Sequence, residues 1–307
     1  MRAELAIGSR DLLGESPVWD AARNRFLWLD QVRGTIHEAT RDGFGRWHES
    51  RSWNLNRPLA GLVPRLQGGM VSGSGIEILT LDEDSGEVNT FVSLDAAPEQ
   101  VVLNELKCDR QGRLWAGTRG TDIRKHGMGA LYRIDADRSV SLVLADVSVS
   151  NGLDWSPDGR TFYYIDSPTF TVSAFDFNPT RGTIRDRRTL VTFAKGDGVP
   201  DGMTVDDEGC LWIAIAGTGQ VRRYSPRGEP LEPILVSAPV VTSCAFGGAD
   251  GGDLWITSAA LRLPDEVLEA IGGTAEQALA WAAAPEAGGA FTCRPGRGGI
   301  RSVPFAG

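Results

Sequence analysis

The sequence predicts an all-β chain folded as a six-bladed β-propeller, on three observations. Six stretches share one template: a lead residue, alternating apolar positions, a turn with Gly or Asp, then an aromatic or apolar strand. They recur at a fixed period. Anchored on the second strand, at Trp28, Val71, Trp115, Tyr164, Trp212 and Trp255, successive repeats lie 43 to 49 residues apart. A unit of that length carries two evident strands and has room for two more, which is the content of a propeller blade. Finally, the repeat covers nearly all of the 307 residues, so a single domain over 1–307 accommodates it.

The blades follow one another along the chain. They open at Glu15 (ESPVWDAARNRFLWLD), Ala60 (AGLVPRLQGGMVS), Asn104 (NELKCDRQGRLWAG), Asn151 (NGLDWSPDGRTFYYID), Asp201 (DGMTVDDEGCLWIA) and Thr242 (TSCAFGGADGGDLWIT). SPDG at 156–159, DDEG at 206–209, SPRG at 225–228 and GGADGG at 247–252 supply tight hairpin turns. A propeller must join its last blade to its first, so the short apolar run at 2–7 is expected to complete the sixth blade. Residues 261–286 break the pattern. They are rich in Ala, Leu and Glu, with apolar residues at helical spacing (Val267, Leu268, Ile271, then Leu279, Trp281) and a helix start at Pro264. One or two short helices interrupted by Gly272-Gly273 are expected there, as an insertion in the last blade that serves as a lid or a plain connector.

The innermost strand of every blade lines the central channel, so matched lead positions converge on one axis. The ring reads Glu15, Ala60, Asn104, Asn151, Asp201, Thr242. Two carboxylates and two carboxamides offer oxygen ligands only, which suits a hard divalent cation. One Asn or Asp at a strand start commonly makes a local hydrogen bond. Four oxygen-bearing side chains at matched positions favour a metal.

Composition narrows the classes. A net charge of −9 without a basic run argues against a nucleic-acid surface. No stretch is apolar enough for a signal peptide or a membrane span. Cys108, Cys210, Cys244 and Cys293 lack metal-type spacing, and three of them sit inside predicted strands, where a free thiol acts as a small hydrophobe. A cytoplasmic protein, monomeric or weakly dimeric, acting on a small molecule is the expectation.

LGESPVWD around Glu15, SNGLDWSPDGRTFYYIDSPT around Asn151, PDGMTVDDEGCLWIA around Asp201 and TSCAFGG at 242–248 closely resemble the regucalcin (senescence marker protein) and gluconolactonase family. The resemblance runs from about Leu13 to the C-terminus, with several motifs in the right order. It implies a six-bladed propeller that hydrolyses lactones with one divalent cation, calcium first, with zinc, manganese and magnesium as other candidates. Glu15, Asn151 and Asp201 would be the metal ligands, and Asn104 would contact substrate. In one place the pattern departs. Where the family carries Arg-aromatic-Asn-Asp-Gly, this chain has Val102-Leu103-Asn104-Glu105-Leu106. Asn104 is retained, but an isopropyl group replaces a five-donor guanidinium. Val102, Glu105 and Leu106 are therefore expected to form an altered, more apolar wall of the substrate pocket, with Asp122 at the place of an acidic substrate contact.

These readings point to a metal-dependent lactonase in which Asp201 is the general base and Asn104 orients the reacting groups, acting on a lactone poorer in hydroxyls than a hexonolactone. Two alternatives stay open: the same metal site acting on another electrophile, such as a phosphotriester or a biosynthetic intermediate, or a non-catalytic binding propeller. A serine triad is disfavoured, since His37, His48 and His126 occupy no lead position and Ser74 lacks a strand-turn-helix context.

Overall fold

The computed structural model describes every residue except Ala96 and Lys195. Among them run six four-stranded antiparallel sheets. Five are contiguous in the chain. Their inner strands are Gly14–Asp20, Ala60–Pro64, Val101–Cys108, Ser150–Trp155 and Val199–Val205. The sixth blade is built from both ends: Val241–Gly247, Asp253–Ser258 and Ala290–Cys293 are completed on the outside by Glu4–Ile7, with Leu5 opposite Phe291. The expected closure by the N-terminal strand is therefore present.

The second strand of each blade carries the packing. Trp28, Val71, Trp115, Tyr164, Trp212 and Trp255, the sequence anchors, are all buried. Indole N–H groups that enter this core need acceptors. In blades 3 and 5 the aspartate that opens the intervening turn provides one: Trp115 Nε1 donates to Asp109 and Trp212 Nε1 to Asp206, at 3.0 and 2.9 Å. One carboxylate thus shapes the turn and satisfies the core of its blade.

A bulge interrupts the pairing of every inner strand at its lead residue. The register shifts between Glu15 and Val18, Ala60 and Leu62, Leu103 and Glu105, Ser150 and Leu153, Pro200 and Met203, and Val241 and Ser243. An extra residue on one strand re-aims the side chain beside it. The six equivalent bulges set the six lead positions at one end of the channel. The glycine after the lead is needed for packing rather than for a turn. A Cβ on Gly152 would lie 2.7 Å from the backbone O of Asp201 and the backbone N of Met203, so the inner strands of blades 4 and 5 touch there.

The insertion forms helices α1 (Asp265–Ile271) and α2 (Ala275–Ala283). Gly272, at φ 68°, ends α1 in the left-handed region, and Thr274 opens α2 with a capping box closed by Gln277. It follows the end of the second strand of blade 6, on the lead-residue face. Leu268, Ile271 and Ala278 pack on Ala216, Val240 and Ala259, with Leu13 and Val199 at the edge. Leu279, expected as part of a closing lid, is exposed.

The C-terminal run after the last strand makes no blade strand. It crosses the opposite end of the channel. Asp207 N donates to Gly298 O, Ser302 Oγ to Trp19 O, Phe305 N to Pro64 O and Ala306 N to Gly112 O, so the segment touches blades 5, 1, 2 and 3 in turn. Ile300 to Val303 floor an axial cavity of about 80 Å³ lined by all six inner strands.

Candidate active site

Four of the six lead residues form the polar mouth. Glu15 is buried, while Asn104, Asn151 and Asp201 are half-buried. The other two do not contribute. Ala60 sits in the core between blades 2 and 3, and Thr242 Oγ1 donates its hydrogen to Gly14 O beside Thr257.

A chain of hydrogen bonds fixes the amides. Asn104 Nδ2 donates to Asn151 Oδ1 at 2.9 Å and to Ser150 O at 2.8 Å. Asn151 Nδ2 donates to Ser167 Oγ at 2.7 Å, and Ser167 Oγ donates to Pro200 O at 2.7 Å, next to Asp201. Asn104 Oδ1 accepts from Arg119 Nε at 3.0 Å. Each amide is held with one orientation by donors and acceptors on both sides.

The carboxylates are in a different condition. Burial pushes the Glu15 carboxyl well above the ordinary carboxylate range, and the charges of Asp201 and Glu105 push it further. Asp201 rises for the same reasons, burial first and then Glu105. Burial raises Glu105 to about 7, against the pull of Lys107 and of the Leu106 N–H. Lys107 is itself engaged, with Nζ 2.7 Å from Asp154 Oδ2. Among the described residues neither Glu15 nor Asp201 has a cationic partner. Buried carboxylates that repel one another are stabilised by a cation in their midst. With Asn151 beside them the donor set is all oxygen, so Glu15, Asn151 and Asp201 fit a hard divalent ion.

The residues expected along the substrate wall are placed unevenly. Val102 lies at the mouth, half-buried, on the strand that carries Asn104. Glu105 is turned into the axial cavity, as a third carboxylate near Glu15 and Asp201 rather than a wall residue. Leu106 is not on the mouth. It is buried in the core between blades 2 and 3, and a Cβ on Gly61 would come within 2.3 Å of it, so its bulk fills an interblade gap. Asp122 is on the correct face but committed: Arg124 donates to it through Nε at 2.8 Å and Nη2 at 2.9 Å, which holds its pKa down at about 2. Arg124 also approaches Glu266 of α1 at 3.8 Å, so the loop between the second and third strands of blade 3 meets the insertion.

Arg119 was missed in the sequence. It lies on the second strand of blade 3, directly opposite Val102, and brings a guanidinium to Asn104 from the neighbouring strand. Val102 stands where the family pattern has an arginine, and a guanidinium from a different strand, that of Arg119, reaches Asn104 instead. Only the cross-strand register reveals it.

A second acidic group, Asp206, Glu208 and Cys210, lies at the opposite end. Asp206 already accepts from the backbone N–H groups of Glu208 and Cys210, from Trp212 Nε1 and from Arg223, and Glu208 pairs with Arg223 and Arg297. Its charges are neutralised by the fold.

A six-bladed propeller with a carboxylate and carboxamide ring at one end of its channel describes a class of protein, and the comparisons place the chain within it. The chain belongs to the SMP-30/gluconolactonase/LRE-like family, whose model matches residues 13–260. It is 36% identical to regucalcin of Danio rerio over 274 residues, covering 87% of this chain and 90% of that one. A calcium-binding regucalcin from Agrobacterium tumefaciens superposes with a TM-score of 0.85 at 24% identity, covering 99% and 97% of the two chains. A gluconolactonase from Xanthomonas campestris superposes with a TM-score of 0.69 at 25% identity, covering 83% and 86%. No helix among the described residues is long and apolar enough to cross a membrane.

Proposed function

We propose that this chain is a metal-dependent hydrolase that opens a lactone ring. The observation that carries the reading is the carboxylate pair of buried Glu15 and half-buried Asp201, both raised by desolvation and by Glu105 and neither with a cationic partner among the described residues, beside the locked amides Asn104 and Asn151. Glu15, Asn151 and Asp201 would hold one divalent cation, with calcium the first candidate and zinc, manganese and magnesium the others. A bound cation supplies Lewis acidity at the lactone carbonyl and charge balance for the carboxylates. Asp201 accepts a proton of the attacking water at a carboxylate oxygen as the water oxygen bonds to the carbonyl carbon, then returns that proton to the ring oxygen as the acyl C–O bond breaks, leaving a hydroxy acid. Glu15 serves as a ligand. Asn104, held at both ends of its amide, presents a fixed dipole to the substrate without changing the charge of the site. Family membership supports this reading, as do the gluconolactonase and the calcium-binding regucalcin among the superposed structures.

The test is hydrolysis of γ- and δ-lactones by protein stripped with chelator and then supplied with Ca²⁺, Mn²⁺ or Zn²⁺. Turnover that vanishes on stripping and returns with an ion supports the proposal. Undiminished turnover without metal would overturn it.

A further inference from the structure

Arg119 is half-buried at the mouth, yet among the described residues no carboxylate lies within ion-pairing distance of it. Most buried or half-buried arginines elsewhere in the fold are treated differently, Arg65 on Gly307 O and Gln67 Oε1 being the exception. Arg25 contacts Asp20, Glu38 and Glu83, Arg113 contacts Asp109, Arg133 contacts Asp135, and Arg223 contacts Asp206 and Glu208. The nearest acidic residue on the following loop, Asp122, is taken by Arg124. Withdrawing a guanidinium from water without a counter-charge is unfavourable, so a fold keeps such a group where an anion will arrive.

The geometry shows where. Arg119 Nε donates to Asn104 Oδ1 at 3.0 Å and Nη1 to Gly120 O at 3.1 Å. These two bonds anchor the guanidinium and leave three of its five N–H bonds for a ligand. Asn104 is in turn 2.9 Å from Asn151, so the free N–H groups lie one side chain away from the candidate metal ligands. Val102, directly opposite on the paired strand, adds an apolar surface that strengthens a charge-assisted bond beside it.

We infer that Arg119 receives a carboxylate on the substrate, and that the preferred substrate is an anionic lactone carrying a carboxylate near the ring rather than a neutral polyhydroxylated one. This rests on the lactone-opening reading above. It adds the substrate's charge and the residue that selects it. Arg119 holds one end of the molecule by a planar two-donor contact while the lactone carbonyl lies over Glu15, Asn151 and Asp201.

Two measurements on the calcium-supplemented protein separate this inference from the reading it rests on. The first is binding alone, by calorimetry with tetrahydrofuran-2-carboxylate and neutral 2-methyltetrahydrofuran, neither of which can be hydrolysed. The wild type should bind the carboxylate at least about tenfold more tightly. Arg119→Gln should erase the preference, and Arg119→Lys should keep part of it. A preference that survives in Arg119→Gln, or is absent from the wild type, overturns the inference. The second is the ratio of kcat/KM for 5-oxotetrahydrofuran-2-carboxylate to that for γ-valerolactone, two rings that differ only in carboxylate against methyl. The ratio should fall by about 10- to 100-fold in Arg119→Gln. An equal loss on both rings would show that Arg119 only positions Asn104, and would refute the selection. If neither ring is opened while the binding preference stands, the hydrolase reading fails and the anion site remains.

Discussion

Asn104 Nδ2 donates to Asn151 Oδ1 at 2.9 Å, joining the inner strands of blades 3 and 4 at the mouth of the channel. The bond makes two lead residues from different repeats behave as one unit. It also separates the ring into an electrically neutral half, the two amides, and an acidic half, Glu15 and Asp201 with Glu105 beneath. The two halves should answer differently to substitution.

Asp201→Asn keeps an oxygen for a cation but removes the proton acceptor. Turnover should fall by about 10²- to 10⁴-fold and stay low at saturating metal. Glu15→Gln should chiefly weaken metal binding, so excess metal should restore much of the rate. Rates measured against metal concentration decide this. Identical curves for the two variants would refute the division of roles.

Gly152 is where blade 4 meets the backbone of Asp201. Gly152→Ala places a methyl 2.7 Å from Asp201 O and Met203 N, neither of which can rotate away. The variant should lose about 1–3 kcal/mol of stability and bind metal more weakly. Gly43→Ala, with nothing within 4 Å of the new Cβ, is the control and should change little. Thermal melts with and without metal measure both effects.

His37 stacks on Trp28 between Asp11 and Glu49. Burial disfavours its charge, but the two carboxylates outweigh burial and raise its pKa to about 9. That lies above the value of about 6.5 for an unfolded histidine. The charged ring therefore stabilises the fold fully below about pH 6.5, and this contribution, on the order of 3 kcal/mol, is lost as pH rises through about 9. Comparing melting temperatures of wild type and His37→Gln at pH 6 and pH 10 tests the sign. The gap should be wide at pH 6 and narrow at pH 10.

Blade number, the converging lead residues and closure by the N-terminal strand were legible because each follows from spacing, and repeat spacing survives in a single sequence. What one strand cannot report is its register against another. Plain alternation would put Leu106 on the same face as Asn104, but the bulge between Leu103 and Glu105 breaks that parity, turning Leu106 into the core and Glu105 into the cavity. Arg119 was hidden for a related reason: its nearness to Asn104 exists only once two strands pair. The C-terminal floor carries no periodic pattern, because it is held by scattered hydrogen bonds to four blades rather than by one sheet.

The central claim is that Glu15, Asn151 and Asp201 hold one divalent cation, and calorimetric titration of Ca²⁺ into chelator-stripped protein tests it most directly. Burial and mutual repulsion raise the Glu15 and Asp201 pKa values, so a cation should displace protons as it binds. The account predicts about one equivalent bound, with a heat that differs between Pipes and Tris buffers in proportion to the protons released, and an affinity at least about tenfold weaker in Glu15→Gln. Binding of equal strength in the Glu15→Gln, Asp201→Asn double variant, or no binding of Ca²⁺, Mn²⁺ or Zn²⁺ by the wild type, would contradict it.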